Sequence, residues 1–184
     1  MNTQIFTLIN NFRNPVFDVF STIISNFFFI LALVLIILVW VVRHDKKNRF
    51  YIFLGMSMIV LIELILVELF LKIVFYAPRP YSVLPNVHTL GTPLSNGSFP
   101  SGHIALMVAI LSLVCFYRKK FILPACIFAL VLGWSRIYNG VHWPTDILWG
   151  ILIGLLNATL VIVALELLRK SLDFAKKKAG TLIH

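Results

Sequence analysis

Three short clusters hold the side chains able to do chemistry. They are Lys72, Arg79 and Pro80 in KIVFYAPRP; Pro100, Ser101, Gly102 and His103 in FPSGH; and Ser135, Arg136, His142 and Asp146 in SRIYNGVHWPTD. Lys72, Arg79 and Arg136 are cations, and the carboxylates near them are few: Asp18, Asp146 and Glu68. Cations held together are unfavourable unless an anion joins them. A phosphate satisfies all three, because arginine presents a fork matched to its oxygens and lysine adds a point charge. Glu68 precedes Lys72 by four residues, the favourable order for an ion pair on one helix face, and such a pair orients the lysine.

Ser101 and Gly102 stand where an apolar helix begins. Free backbone N–H groups at a helix start attract an anion, and glycine lets it come close to the main chain. His103, at the same helix start, can protonate a leaving oxygen. His142 precedes Asp146 by four residues, and Pro144 suits the first turn of the helix that carries Asp146. A carboxylate beside an imidazole fixes its tautomer and stabilises its cation. One histidine is thus oriented for nucleophilic attack and the other remains for acid work, which suits phosphate ester hydrolysis in two steps. The cations and the helix start would stabilise the transferred group. The outer loops carry no Asp and Glu cluster able to hold magnesium, so no metal and no other cofactor is expected.

Apolar helices must position these clusters. The chain has 184 residues, is 60% hydrophobic and has a mean hydropathy of +0.95, well beyond a soluble domain of this size. Hydropathy predicts an all-α, polytopic membrane bundle with five spans, at Thr22–Val42, Phe50–Leu71, Ser101–Tyr117, Phe121–Tyr138 and Asp146–Leu168. Before them, Ile5, Phe6, Leu8, Ile9 and Phe12 recur at near-helical spacing until Asn14-Pro15, so residues 1–16 read as an amphipathic helix lying at the membrane interface. The whole chain, 1–184, reads as one membrane-embedded domain. No basic leader or small-residue cleavage site is evident, so the first long apolar segment is expected to stay as an anchor.

The net charge of +9 has a topological origin. Twelve of the sixteen basic residues fall at 43–49, at 118–120 and after 168. Five spans put these regions on one side, the cytoplasmic side, with the N-terminus outside and the basic tail 170–184 inside. The three clusters and the loop 76–100 then lie on the extracytoplasmic face. No soluble basic surface remains for nucleic acid, so the expected partners are membrane lipids and a phosphorylated lipid substrate. Cys115 and Cys126 lie within apolar runs and read as inert thiols. Trp134 and Trp143 read as interface anchors, and His88 as a loop histidine.

Taken in order, the eleven cluster residues read K-x6-RP, PSGH and SR-x5-H-x3-D. This resembles the type 2 phosphatidic acid phosphatase superfamily, over about residues 72–146 by motif. The resemblance implies His142 as nucleophile, Asp146 as its orienting partner and His103 as general acid. It implies that Lys72, Arg79, Ser101, Gly102, Ser135 and Arg136 hold the phosphate. It also implies metal-independent catalysis through a phosphohistidine and, for bacterial members, a site on the extracytoplasmic face of the inner membrane. Many members have six spans, against the five and an interfacial segment read here. The chain is too short and apolar to look like the soluble vanadium haloperoxidases of that superfamily. It looks most like small envelope enzymes acting on lipid A 1-phosphate, undecaprenyl pyrophosphate or phosphatidylglycerophosphate, with lipid A 1-phosphate placed first. A lipid phosphotransferase shares the first half-reaction, and a non-catalytic lipid-binding or transport protein shares the cations but needs no oriented His–Asp pair.

Overall fold

The structure is a computed structural model and describes residues 1–91, 93 and 95–181. Of the predicted loop 76–100 and tail 170–184, positions 92, 94 and 182–184 lie outside the described residues. The described residues form helices and no strand. In chain order these are α1 (Asn2–Asn10), α2 (Pro15–Ser25), α3 (Phe27–His44), α4 (Arg49–Ile62), a π-helical stretch (Glu63–Leu71), α5 (Lys72–Val74), α6 (Pro80–Val83), α7 (Gly102–Tyr117), a 3-10 turn (Lys119–Phe121), α8 (Ile122–Tyr138) and α9 (Pro144–Thr181).

The N-terminal third departs from the sequence reading for local reasons. The helix expected over residues 1–16 stops at Asn10, and Asn14-Pro15 does not end it but opens another. The Asn14 side chain accepts from Val16 N–H and Pro15 fills the first helical position, so the pair starts α2. Asn26 then interrupts the span predicted over 22–42. Its backbone is extended, and its side chain accepts from the N–H groups of Phe28 and Phe29 at 2.9 and 3.3 Å. An asparagine in this posture caps a new helix instead of continuing the old one, and α2 and α3 meet at 57°.

Three helices are long and apolar enough to cross a membrane, Arg49–Val74, Lys119–Tyr138 and Pro144–Lys178; the bent pair Pro15–Ser25 and Phe27–Val41, taken as one span, makes four. The apolar α7 has 16 residues, about 24 Å at the usual rise, shorter than the ~30 Å of a hydrocarbon core. It is the central helix, packed against α9, α8 and α4, and it buries Ile104, Met107, Ile110 and Leu113 completely. Two glycines on α9 permit this. A Cβ at Gly150 would stand 2.9 Å from Ser101 O, and one at Gly154 would stand 2.5 Å from Ala105 O. Small residues four apart let helix backbones approach closely where lipid supplies no hydrophobic drive.

Large apolar side chains along α3, α4, α8 and α9 face outward, among them Leu35, Phe53, Leu130 and Leu160. A belt of this kind suits lipid rather than water. The basic segment after 168 continues α9 as helix to Thr181, since Lys and Ala are good helix formers and nothing before Gly180 breaks the run.

Candidate active site

The three motif clusters come together at one end of the bundle. Lys72 ends the long helix Arg49–Val74, Arg79 lies in the following loop, and Ser101 to His103 open α7. Ser135 and Arg136 close α8, His142 sits in the turn after it, and Asp146 lies in the first turn of α9. The starts of α7 and α9 are joined directly, Ser101 N–H donating to Asp146 O at 3.2 Å. Lys72, Arg79, Arg136 and His142 all lie near enough to His103 to act on its charge. Lys72, Arg79, Ser101, Ser135, Arg136, His142 and Asp146 are buried, and His103 is half-buried.

The His142–Asp146 pairing is present. His142 Nδ1 lies 3.5 Å from Asp146 Oδ2, longer than a formed hydrogen bond. The same carboxylate oxygen accepts from Trp143 N–H at 2.8 Å, which fixes it beneath the imidazole. Burial, and after it the nearby Arg136, Arg79 and Lys72, holds the His142 imidazole well below its ordinary range. At neutral pH it is therefore the neutral base that a nucleophile requires.

The six residues expected to hold phosphate fall into two sets. Ser101 Oγ and Arg136 Nε are buried without a protein partner among the described residues. The others are already engaged. Lys72 Nζ pairs with Glu68 Oε1 at 2.6 Å, as the four-residue spacing predicts. Ser135 Oγ donates to Leu132 O at 2.7 Å and contacts Ser25 Oγ at 2.8 Å. Arg79 turns its fork to main chain: Nη1 donates to Val141 O, Nη2 to Gly97 O and Asn96 Oδ1, and Nε to Asn96 O, all within 3.0 Å. Burial pushes the Arg79 guanidinium below its ordinary value, yet an arginine stays cationic in a protein. Gly102 meets Glu68 instead of open space, since a Cβ there would collide with Glu68 Oε1.

Several supporting residues gave no signal in the sequence. Asn96 and Val141 orient Arg79, and Ser25 O accepts from Arg136 Nη1 at 3.4 Å. Asn10 joins the loop that carries His88 to α8 through His88 N–H, His88 O and Tyr138 O. His88 is indeed a loop histidine, and its Nε2 lies 2.9 Å from Asp18 Oδ1, which also accepts from Tyr138 Oη at 2.6 Å. Asn2 brackets the start of α9 through Thr145. Polar residues this scattered reveal a shared role only when folding joins them. The described residues contain no group of three or more His, Cys, Asp or Glu side chains placed to share a metal ion.

Comparison with known proteins gives a consistent picture. The family model of the PAP2 superfamily matches residues 50–170. Undecaprenyl-diphosphatase BcrC of Bacillus subtilis is 27% identical over 186 residues, covering 100% of this chain and 94% of that protein. The crystal structure of LpxE from Aquifex aeolicus superposes with a TM-score of 0.71 at 30% identity, over 88% of this chain and 94% of that one. A transmembrane PAP2-type phosphatidylglycerolphosphate phosphatase from Bacillus subtilis superposes with a TM-score of 0.67 at 26% identity, over 90% of this chain and 84% of that one.

Proposed function

We propose that this chain, which belongs to the PAP2 superfamily, is a membrane phosphatase that hydrolyses a polyprenyl diphosphate, with undecaprenyl diphosphate the leading substrate. The sequence places lipid A 1-phosphate first. The full-length match to an undecaprenyl-diphosphatase moves the diphosphate ahead of it. The observation that carries the phosphatase reading is the buried His142 over Asp146, set among three cations.

The chemistry follows from the residues. His142 Nε2 attacks phosphorus while Asp146 holds the Nδ1 side. The bond from phosphorus to the leaving oxygen breaks, and His103, whose charge the bound phosphate favours against the surrounding cations, gives that oxygen a proton. Water then attacks the phosphohistidine, His103 takes its proton, the N–P bond breaks and phosphate leaves. Ser101 Oγ and Arg136 are the donors free to meet the equatorial oxygens. Lys72 joins them, and Arg79 adds charge while it clamps the loop. No metal takes part in this scheme.

The membrane arrangement is five spans, with α7 as the short central one, the bent α2–α3 pair as the first, and the segment before α2 at the interface. Residues 1–184 form one membrane-embedded domain. The site and the loop 76–100 face outward from the inner membrane, and the tail 170–184 faces inward. Support comes from the distribution of charge. Arg118 bonds Asp45 at 2.9 Å, and Arg169 lies over the Tyr51 ring, so the basic segments gather at the end opposite the site. An apolar cleft of about 430 Å³ runs between the π-helical stretch and α9, with Phe99, Trp149 and Leu66 on its walls and Asn157 in its lining. Phe99 adjoins the PSGH cluster, so a chain lying in this cleft has its head at the site.

The test is phosphate release by purified protein in detergent, with EDTA present, from undecaprenyl diphosphate, lipid A 1-phosphate, phosphatidylglycerophosphate and phosphatidic acid. Release that survives EDTA, is fastest on the diphosphate and vanishes in His142→Ala is the expected result. A metal requirement, or activity persisting in the variant, sinks the mechanism. A different ranking replaces only the substrate.

A further inference from the structure

Glu68 belongs to no motif, and the mechanism above does not use it, yet its carboxylate lies inside the site. Its Oε1 is 2.6 Å from Lys72 Nζ. The point where a side chain at Gly102 would begin is in collision with that same Oε1, and Lys72 Nζ is 3.7 Å from it. A carboxylate therefore lies against Gly102, the first residue of α7, close to the helix start whose free N–H groups favour an anion. Beside it Ser101 Oγ is fully buried without a partner among the described residues. The absence of a Cβ at Gly102 is what admits the glutamate. The two partners differ in freedom: the Lys72 side chain is 8% exposed and that of Glu68 is 37% exposed. The lysine is enclosed by protein, and the glutamate has an open side towards which it can move.

We propose that Glu68 is an internal stand-in for the substrate phosphate: it occupies the anion seat at Gly102 and Lys72, must be displaced for phosphate to bind, and returns to help phosphate leave. This rests on reading the site as a phosphate site. A phosphate on Lys72 and the α7 start would meet a like charge in contact, which is repulsive in a partly desolvated place. Substrate therefore exchanges with Glu68 on Lys72 instead of adding to it. Every phosphate species is weakened alike, product included, so the effect falls on ground-state binding and release rather than on the chemical step. A glutamate that merely orients Lys72 for phosphate has the opposite consequence, because its loss weakens binding.

The experiment compares full-length wild type, Glu68→Gln and Glu68→Ser in detergent. Three quantities are read: kcat and KM on undecaprenyl diphosphate, Ki for inorganic phosphate, and the rise in unfolding temperature caused by inorganic phosphate. Both variants should lower Ki and KM together, by on the order of threefold to tenfold for one nearby charge of partial exposure. Values of kcat should be unchanged or lower, and the phosphate-induced stabilisation larger. An unchanged or raised Ki in either folded variant overturns the proposal. The phosphate shift needs no turnover, so the two readings separate. Wild type without hydrolysis, but with a phosphate shift that grows in the variants, removes the phosphatase reading and keeps the stand-in. Hydrolysis without tighter phosphate binding removes only the stand-in.

Discussion

Arg118 and Arg136 flank the same helix and are held in opposite ways. Arg118, just before α8, donates through Nε to Asp45 Oδ2 at 2.9 Å and through Nη2 to His44 O at 3.1 Å. Asn48 also bonds Asp45, so that charge pair is complete. Arg136, about 25 Å away along the helix, is 6% exposed and pairs with no carboxylate among the described residues. Its Nε has no partner among the described residues, and its Nη1 reaches only the Ser25 carbonyl, 3.4 Å away. A satisfied surface arginine stitches loops together. A buried arginine without a counter-ion is costly and is worth retaining only where an anion completes it. The bundle thus has one end closed by a complete charge pair and another that leaves a buried cation without a carboxylate among the described residues.

That contrast can be broken by experiment. His142→Ala should show the largest effect, lowering kcat by about 10⁴-fold or more, because removal of a nucleophile leaves only positioning and charge. Loss of less than tenfold would move the chemistry off this residue. Asp146→Asn keeps shape but not charge, and should lower kcat by roughly 10³-fold through loss of the imidazole tautomer. Equal kcat in the two proteins would mean that the 3.5 Å separation does not tighten with substrate.

The two arginines give the most direct comparison. Arg136→Ala should lower kcat/KM by about 10²-fold to 10³-fold. Arg118→Ala should leave it within about twofold and remove about 1 kcal/mol of stability. Similar activity in both variants would erase the distinction between the ends.

Acid should separate the ends as well, with smaller effects. The His142 imidazole is held down in the fold by burial and then by the cations. Its unfolded counterpart takes a proton near pH 6.5. Its contribution to stability is present above that pH and declines as pH falls below it, since the unfolded chain then binds more protons. At the other end burial raises the Asp45 carboxyl, but hydrogen bonds from Asn48 and Arg118 outweigh it and hold it below 3.8. Its contribution is lost only below about pH 4. Unfolding temperature measured against pH should therefore fall in two stages, and His142→Ala should flatten the first. A first stage unchanged in that variant would assign it elsewhere.

Much of the site was legible because its chemistry is coded locally. The PSGH cluster, the His142–Asp146 spacing and the Glu68–Lys72 spacing each lie within one helical turn or one helix start. At such separations residue type and periodicity fix what can meet. The long apolar runs were readable for the same reason, and the ends of α7 and α8 fall within a residue of the predicted spans. Asn26 was harder to read. It is a poor helix breaker by propensity, and only its capping bonds to Phe28 and Phe29 turn one predicted span into two helices.

By itself the sequence determined that three cations, two histidines and an aspartate stand at the ends of apolar helices, because charge and hydropathy order those residues along the chain. Tertiary structure alone decided which groups are free to act. Arg79 turns to the carbonyls of Gly97 and Val141, Ser135 to Leu132, and Glu68 to the start of α7. These are contacts across loops and between helices, and no spacing along one helix encodes them. They depend on how closely Gly150 and Gly154 let α9 approach α7 and on where the π-helical stretch delivers Lys72, and both follow from packing.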